Sequence, residues 1–477
     1  MRTSEQYVKK LQKMKSNVYM DGQKVPRDHE QFMPGVKLMG TTFDLAYDPE
    51  WIDLSTATSH ISGKKINRFC HIHQSHDDLM KRRELTKRFF YHTGSCIQRC
   101  GGADTINALS VVTYDIDQKY KTEYYKRFMK YLEYFQENDL VAPITMTDVK
   151  GDRSKRPHEQ ADPDVYVRVV EKKKDGIVVR GAKNCNSMAS YGDELIVSPS
   201  RALTKEEGDW AIAFAVPADW DGVKIVASGF PSGSKRKHMP AIYAEYGGTD
   251  ALTIFDNVFV PWERVFMLGE VEFAPLYGNA TAIYHRFNYT ACKPAWTDLF
   301  IGATALAAEY NNIERHEHVR EKIGHMIAVA VLVDAAGQAA SLQSWKSGSG
   351  TWLPGAVATH AGRWLAGSNM YKEFETLTDI SGGLGVTLPH EGDFFNPETG
   401  PLLHKYIKRR ADVPAENVHK LWRYIQDVVA GRSTGFQQGG GLHGGGSPIM
   451  EIIGLIRDYD VDGKKKIVKR LAGIPID

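Results

Sequence analysis

Two switches of hydrophobic periodicity, one near residue 140 and one near residue 276, constrain the fold of this chain more than any single motif does. Up to about Leu140, charged and apolar residues recur at three- and four-residue spacing, as across Tyr120 to Phe135, which is the pattern of helices with one buried stripe. After Val141-Ala142-Pro143 the texture changes to short, β-branched apolar runs at Val165 to Val170, Ile177 to Val179, Leu195 to Val197, Ala211 to Val216, Val223 to Ala227 and Leu252 to Val260. Gly, Pro and Asp separate these runs, and Asp175-Gly176 reads as a hairpin turn. From Tyr277 the helical texture returns, with Ile301 to Ala308 and Met326 to Val333 smooth enough for buried bundle helices. One core rarely serves 477 residues. The expectation is therefore an α+β chain of three domains: helical over 1–140, a compact β-barrel or sandwich over 141–275, and a helical bundle over 276–477.

Charge excludes some classes of partner. Lys and Arg total 60 against 58 Asp and Glu, a formal net charge of +2, so nothing points to nucleic acid or to an anionic membrane. Met1 to Met20 is charged and lacks a signal-type apolar core, and no later stretch is expected to span a bilayer; a cytoplasmic location follows as an expectation. The five cysteines (Cys70, Cys96, Cys100, Cys185 and Cys292) are too few and scattered for a disulfide scaffold and would matter as thiolates. The glycine-rich stretches Gly382 to Gly385 and Gly435 to Gly446 do not sit between a strand and a helix as a dinucleotide-binding turn must, and are expected to be backbone turns.

Two local patterns carry chemistry. Cys96 and Cys100 stand four apart, so on a helix both thiols would project from one face. His285, Tyr289 and Cys292 fall at i, i+4 and i+7, again one helical face. Two helices could thus pinch one metal site. Three thiolates and one imidazole suit either a structural zinc or an iron-sulfur cluster, and the donor set alone does not separate them. The spacing favours the cluster, since zinc sites usually use Cys-x-x-Cys loops. Taken singly, each cysteine reads as an ordinary buried residue and Tyr289 as core filler; the conjunction reverses that reading. Tyr289 then becomes a candidate acid or base, and Lys293 a candidate to hold the anionic form of a substrate carbonyl.

At these residues the chain resembles the 4-hydroxybutyryl-CoA dehydratases, within the larger 4-hydroxyphenylacetate 3-hydroxylase family of flavoproteins. Besides Cys96-Ile-Gln-Arg-Cys100 and His285 to Lys293, the resemblance takes in Asn67-Arg-Phe, His73-Gln-Ser, Tyr114 to Tyr120, Met146 to Arg153, Val178 to Lys183, Phe255 to Pro261 and His443 to Pro448. It implies an acyl-CoA-dehydrogenase-like fold, with a helical amino-terminal domain, a β-barrel middle domain and a carboxy-terminal four-helix bundle, assembled as a homotetramer. It further implies FAD lined by Met146, Thr147, Asp148, Arg153, Cys185, Asn186 and Ser187, with His443 and Gly444 reaching the flavin of a neighbouring subunit. A 4Fe-4S cluster would be held by Cys96, Cys100, His285 and Cys292. The substrate would be an acyl-CoA, 4-hydroxybutyryl-CoA in the first instance, dehydrated to crotonyl-CoA with associated vinylacetyl-CoA isomerisation. His285 and Tyr289 would handle protons, while Lys293 and Gln98 would orient the acyl group. A radical route with FAD as transient one-electron acceptor is implied because the β C-H bond is too weakly acidic for ordinary acid-base chemistry.

Three positions depart from that pattern. Asp250 replaces an active-site glutamate one methylene longer, Gly440 replaces a second glutamate three residues before His443, and Ser187 replaces a threonine. A carboxylate lost outright alters which proton is moved or which group is held, so a related hydroxyacyl-CoA is the alternative substrate. Two further readings compete: a two-component flavin-dependent phenol hydroxylase without a cluster, and a zinc-stapled oligomer without catalysis.

Overall fold

The computed structural model describes residues 1–228 and 245–475. Helices dominate its first 140 residues, as expected, but they are interrupted where the sequence suggested continuity. Lys121 adopts the left-handed conformation and ends the helix Cys100–Tyr120, and a second helix runs from Tyr124 to Glu137. That second helix buries Tyr124, Phe128, Tyr131, Leu132 and Phe135, the one stripe its spacing called for.

The strand runs of the middle segment form, the first of them starting at Arg168 rather than Val165, and four more strands join them: Ile144–Thr145, Val265–Leu268, Val18–Met20 and Gln23–Val25. Val18–Met20 and Gln23–Val25, in the segment expected to be helical, extend the middle sheet. The six-stranded sheet has the order Gln23–Val25, Val18–Met20, Val223–Ala227, Ala251–Pro261, Gly176–Lys183, Arg168–Lys172. A second, four-stranded sheet has the order Val265–Leu268, Ile212–Pro217, Glu194–Val197, Ile144–Thr145. These are two open sheets, and the closed barrel that the resemblance implied is not found among the described residues. Each sheet keeps two edge strands, and Val223–Ala227 alternates buried and exposed residues as a sheet covered on one face does. Val179, Leu195, Phe214, Phe255 and Val265 share one core with Tyr7, Leu11 and Phe43 from the amino-terminal helices. Each such side chain contributes about 1.5–3 kcal/mol by leaving water.

Three long helices follow, Ala274–Tyr310, Glu317–Leu342 and Ala356–Ser381, and each packs on the other two. The second departs from expectation in two ways. It is long and apolar enough to cross a bilayer, and only part of it is buried: Met326, Val329, Ala330 and Val333 face its neighbours while Val331 and Leu332 are more than half exposed. The glycine run near the end is also not a set of turns. Arg432–His443 is helical through Gly439, Gly440 and Gly441, and the chain leaves the helix only at Gly444.

Candidate active site

The site is assembled where the helices His76–Thr93, Cys100–Tyr120 and Ala274–Tyr310 meet, since the first two both pack on the third. Cys96 and Cys100 are not on one helix face. Gly94 ends the first helix in the left-handed conformation, at φ 66°. Cys96 then lies in the connection, Gln98 turns the backbone again at φ 54°, and Cys100 opens the next helix. The turn achieves what helical spacing would have done, bringing both thiols to the same side.

Gly101 and Gly102 explain how close that helix can come. A Cβ on Gly102 would sit 2.5 Å from the carbonyl oxygen of Ala142, and one on Gly101 would sit 2.8 Å from Cγ1 of Ile144. Only glycine lets the Cys100 end of the helix lie directly against the 141–145 segment.

His285, Tyr289, Cys292 and Lys293 do lie on a single helix, as their spacing predicts. Cys100, His285 and Asp104 offer donor atoms within 4.8 Å of one another. Burial pushes the Cys100 thiol well up, and Asp104, Cys96 and Cys292 add to the rise; burial and Cys96 do the same for Cys292. The three cysteines are thus close enough to repel one another as thiolates. All are free thiols.

Asp104, which the sequence reading missed, organises the histidine. Its Oδ2 lies 2.9 Å from Nδ1 of His285 and its Oδ1 accepts from Nδ2 of Asn288 at 2.5 Å. Burial raises Asp104, and the bonds from His285 and Asn288 work against that rise; when ionised its carboxylate only accepts, which would put the His285 proton on Nδ1 and leave the lone pair on Nε2. A carboxylate behind a ligating imidazole is the usual way to fix its tautomer and raise its basicity. The signal was present, since Asp104 follows Cys100 by one helical turn.

Tyr289 is buried, its phenol pushed up by burial, and its hydroxyl donates to the carbonyl of Gly441 at 3.0 Å. The Arg363 guanidinium lies 4.2 Å above its ring and also binds the carbonyls of Gly441 and Gly444, while Arg286 binds that of Gly445. The glycine run is therefore clamped over the site by two arginines. A Cβ on Gly441 would strike Met370, whereas Gly440 has open space where its side chain would begin. His443 is exposed at the end of that helix.

Lys293 is 1% exposed and forms an ion pair with buried Glu373, shared with Thr297. Gln98 accepts a hydrogen bond from the hydroxyl of Tyr191 at 2.8 Å. The carboxylate of Asp250 accepts from Ser187 at 2.6 Å, and burial raises it despite that bond.

The residues assigned to flavin divide into two groups. Met146 and Asp148 share Lys183, whose ammonium donates to the Met146 carbonyl and, at 2.6 Å, to Asp148. The Thr147 carbonyl accepts from Asn184, the side-chain amide of Asn186 donates to the carbonyls of Ile144 and Asn184 while its Oδ1 has no hydrogen-bond partner among the described residues, and Cys185 is exposed with φ 54°. An antiparallel bridge between Asp148 and Lys183 sets the 146–148 segment alongside 183–184, and the strip continues along the chain to Ser187, which bonds Asp250. Arg153 lies apart from it on an exposed turn.

The donor set fits a sulfur-bound cluster. The buried Cys100, the half-buried Cys96 and Cys292 and the His285 imidazole lie near one another, and the buried guanidinium of Arg82, beside Cys100, has two terminal nitrogens without a hydrogen-bond partner among the described residues. An anion at the sulfurs would answer that charge.

Comparison with known proteins identifies the family. The family model for the 4-hydroxyphenylacetate 3-hydroxylase N terminal matches residues 3–267, and that for the C terminal matches residues 277–473. The chain is 36% identical, over 99% of both lengths, to 4-hydroxybutyryl-CoA dehydratase/vinylacetyl-CoA-Delta-isomerase of Clostridium aminobutyricum. It is 30% identical to the 4-hydroxyphenylacetate 3-monooxygenase oxygenase component of Thermus thermophilus, over 90% of this chain and 88% of that one. Among solved structures, an oxygen-tolerant archaeal 4-hydroxybutyryl-CoA dehydratase from N. maritimus superposes with a TM-score of 0.94 at 37% identity, covering 100% of this chain and 96% of that one. An oxygenase component of 4-hydroxyphenylacetate 3-monooxygenase complexed with FAD gives 0.86 at 27% identity, over 99% and 98%. The chain therefore belongs to the 4-hydroxyphenylacetate 3-hydroxylase family, and within it is similar along its whole length to the 4-hydroxybutyryl-CoA dehydratases.

Proposed function

We propose that this chain is a dehydratase of a hydroxyacyl-CoA that works with FAD and a 4Fe-4S cluster, converting 4-hydroxybutyryl-CoA to crotonyl-CoA and isomerising vinylacetyl-CoA. The observation that carries the reading is the convergence of Cys100, His285 and Asp104, with Cys96 and Cys292 beside them, in a chain similar end to end to dehydratases of that name. Cys96, Cys100, Cys292 and His285 are the ligands, and the strip from Met146 to Asp148 with Cys185 to Ser187 holds the flavin.

When bound, the flavin supplies a one-electron acceptor and the cluster a Lewis acid for the departing hydroxyl. The protein's own groups do the rest. Asp104 keeps the His285 proton on Nδ1, so that Nε2 can bind iron. Tyr289, whose phenol burial keeps protonated, holds a proton within the site. Gln98, fixed by Tyr191, orients the thioester. Lys293 acts through Glu373 rather than from a free ammonium, because the pair is sealed together. Asp250, raised by burial, is placed to exchange a proton near the flavin strip. The layout resembling acyl-CoA dehydrogenases, the four-helix bundle, the homotetramer, the reach of His443 and Gly444 into a neighbouring subunit's flavin and a cytoplasmic location belong to the same proposal.

Anaerobically purified protein incubated with 4-hydroxybutyryl-CoA should yield crotonyl-CoA, with iron, acid-labile sulfide and FAD all measured in the same preparation. Full cofactor loading without product would remove this substrate. It would favour another hydroxyacyl thioester, the reading that Asp250 and Gly440 support. Flavin without iron would sink the cluster.

A further inference from the structure

Arg82 sits on the helix His76–Thr93 and is 1% exposed. Its guanidinium carbon lies 4.1 Å from the centroid of the Phe69 ring, and its Nε donates to Oδ1 of Asn288 across 3.4 Å. Neither Nη1 nor Nη2 has a hydrogen-bond partner among the described residues. The neighbours that attract it are Asp104 and Cys100, and those that repel it are Arg68 and Arg99. Asp104 is already engaged by His285 and Asn288. A guanidinium with bare terminal nitrogens, excluded from water and faced by two more cations, is unfavourable unless an anion completes it.

That leaves the Cys100 sulfur as the remaining partner on that side, and it is a neutral thiol when it carries its proton. We propose that Arg82 is the positioning residue that tunes the sulfur cluster, donating its terminal N-H groups to the sulfurs held by Cys96, Cys100, Cys292 and His285. The inference rests on the cluster reading given above. A doubly positive core held by three thiolates and a neutral imidazole carries one net negative charge, which a single guanidinium matches. A fixed cation and N-H donors at the sulfurs favour the more reduced, more negative form, so Arg82 raises the reduction potential. Its exclusion from solvent argues against a direct grip on the coenzyme's phosphates.

The test uses the full chain, purified and reconstituted without air, as wild type, Arg82→Gln and Arg82→Lys. Iron and sulfide per chain are measured first, then the cluster's reduction potential by a titration followed in the electron paramagnetic resonance and visible spectra. Arg82→Gln, which keeps donors but loses charge, should show a potential shifted negative, and Arg82→Lys, which keeps charge but loses the fork, a smaller shift. A loaded Arg82→Gln protein with the wild-type potential would overturn the proposal. If the Gln variant does not fold, the Lys variant decides alone: a negative shift supports the role and an unchanged potential ends it. Wild type that binds no iron refutes the cluster reading itself, a result visible before any variant is compared.

Discussion

The sharpest residue-scale result is that two of the side chains doing the positioning are not those the motifs named: Asp104 is hydrogen-bonded to His285 and Glu373 holds Lys293, while Ser187, which the motifs did name, holds Asp250. Replacing Asp104 with Asn keeps the shape but removes the charged acceptor. Loss of such an outer partner costs about 10–100-fold in metal affinity or activity, so reconstituted Asp104→Asn should fall in iron content, in turnover, or in both. A variant that loads and turns over like wild type would show that the carboxylate is dispensable. Lys293 and Glu373 form a buried pair, so Glu373→Gln alone should destabilise the fold by about 3–5 kcal/mol through the uncompensated ammonium, read as a shift in the denaturation midpoint. The pair Lys293→Met with Glu373→Leu should recover most of that stability while abolishing any catalytic contribution of the lysine. At Gly440 a side chain meets open space, so Gly440→Glu should fold normally and test directly whether the carboxylate missing there limits 4-hydroxybutyryl-CoA turnover.

At the scale of elements, helix ends rather than helix faces build the site. The sequence spacing of Cys96 and Cys100 suggested one helix face, but the two residues lie on either side of a turn. A local pattern does not reveal that Gly94 and Gln98 will both turn left-handed and substitute a loop for the missing turn. The helix beginning at Cys100 reaches the 141–145 segment only because Gly101 and Gly102 lack Cβ atoms. Gly102→Ala would press a methyl into the backbone oxygen of Ala142, which cannot retreat as a flexible side chain can. Destabilisation of about 1–3 kcal/mol is expected in thermal or urea unfolding, with a drop in iron retention because the Cys100 end must shift. The strands between Gly176 and Pro261 were legible because β-branched runs and a hairpin turn are local signals. The pairing of Val18–Met20 with Val223–Ala227 was not, because a three-residue strand has too little pattern to betray a partner some two hundred residues away.

Over the whole molecule, one buried carboxylate ties the amino terminus to the sheets. Asp193 bonds Arg2 and the backbone N-H of Val141 and pairs with Lys10. Burial works to raise it, but Arg2, Lys10 and the Val141 N-H together hold it below its ordinary value of 3.8. A carboxylate depressed on folding stabilises the fold fully above its unfolded value and loses that contribution as pH falls through the folded one. The stability gap between wild type and Asp193→Asn should therefore be constant near neutrality and narrow only below about pH 4. A gap that instead closed between pH 6 and 8 would assign the effect to another group. What the sequence determined by itself was everything a local period or a full-length resemblance can carry: the order of helical and β segments, the helix bearing His285, Tyr289 and Cys292, and the family. What only the tertiary structure decided was the open pair of sheets in place of a barrel, the half-exposed helix Glu317–Leu342, and the partners Asp104, Arg82 and Glu373. The reason is physical: a residue's neighbours along the chain fix its backbone preference, but its charge state, burial and hydrogen-bond partners are set by segments that meet only after the chain has closed on itself.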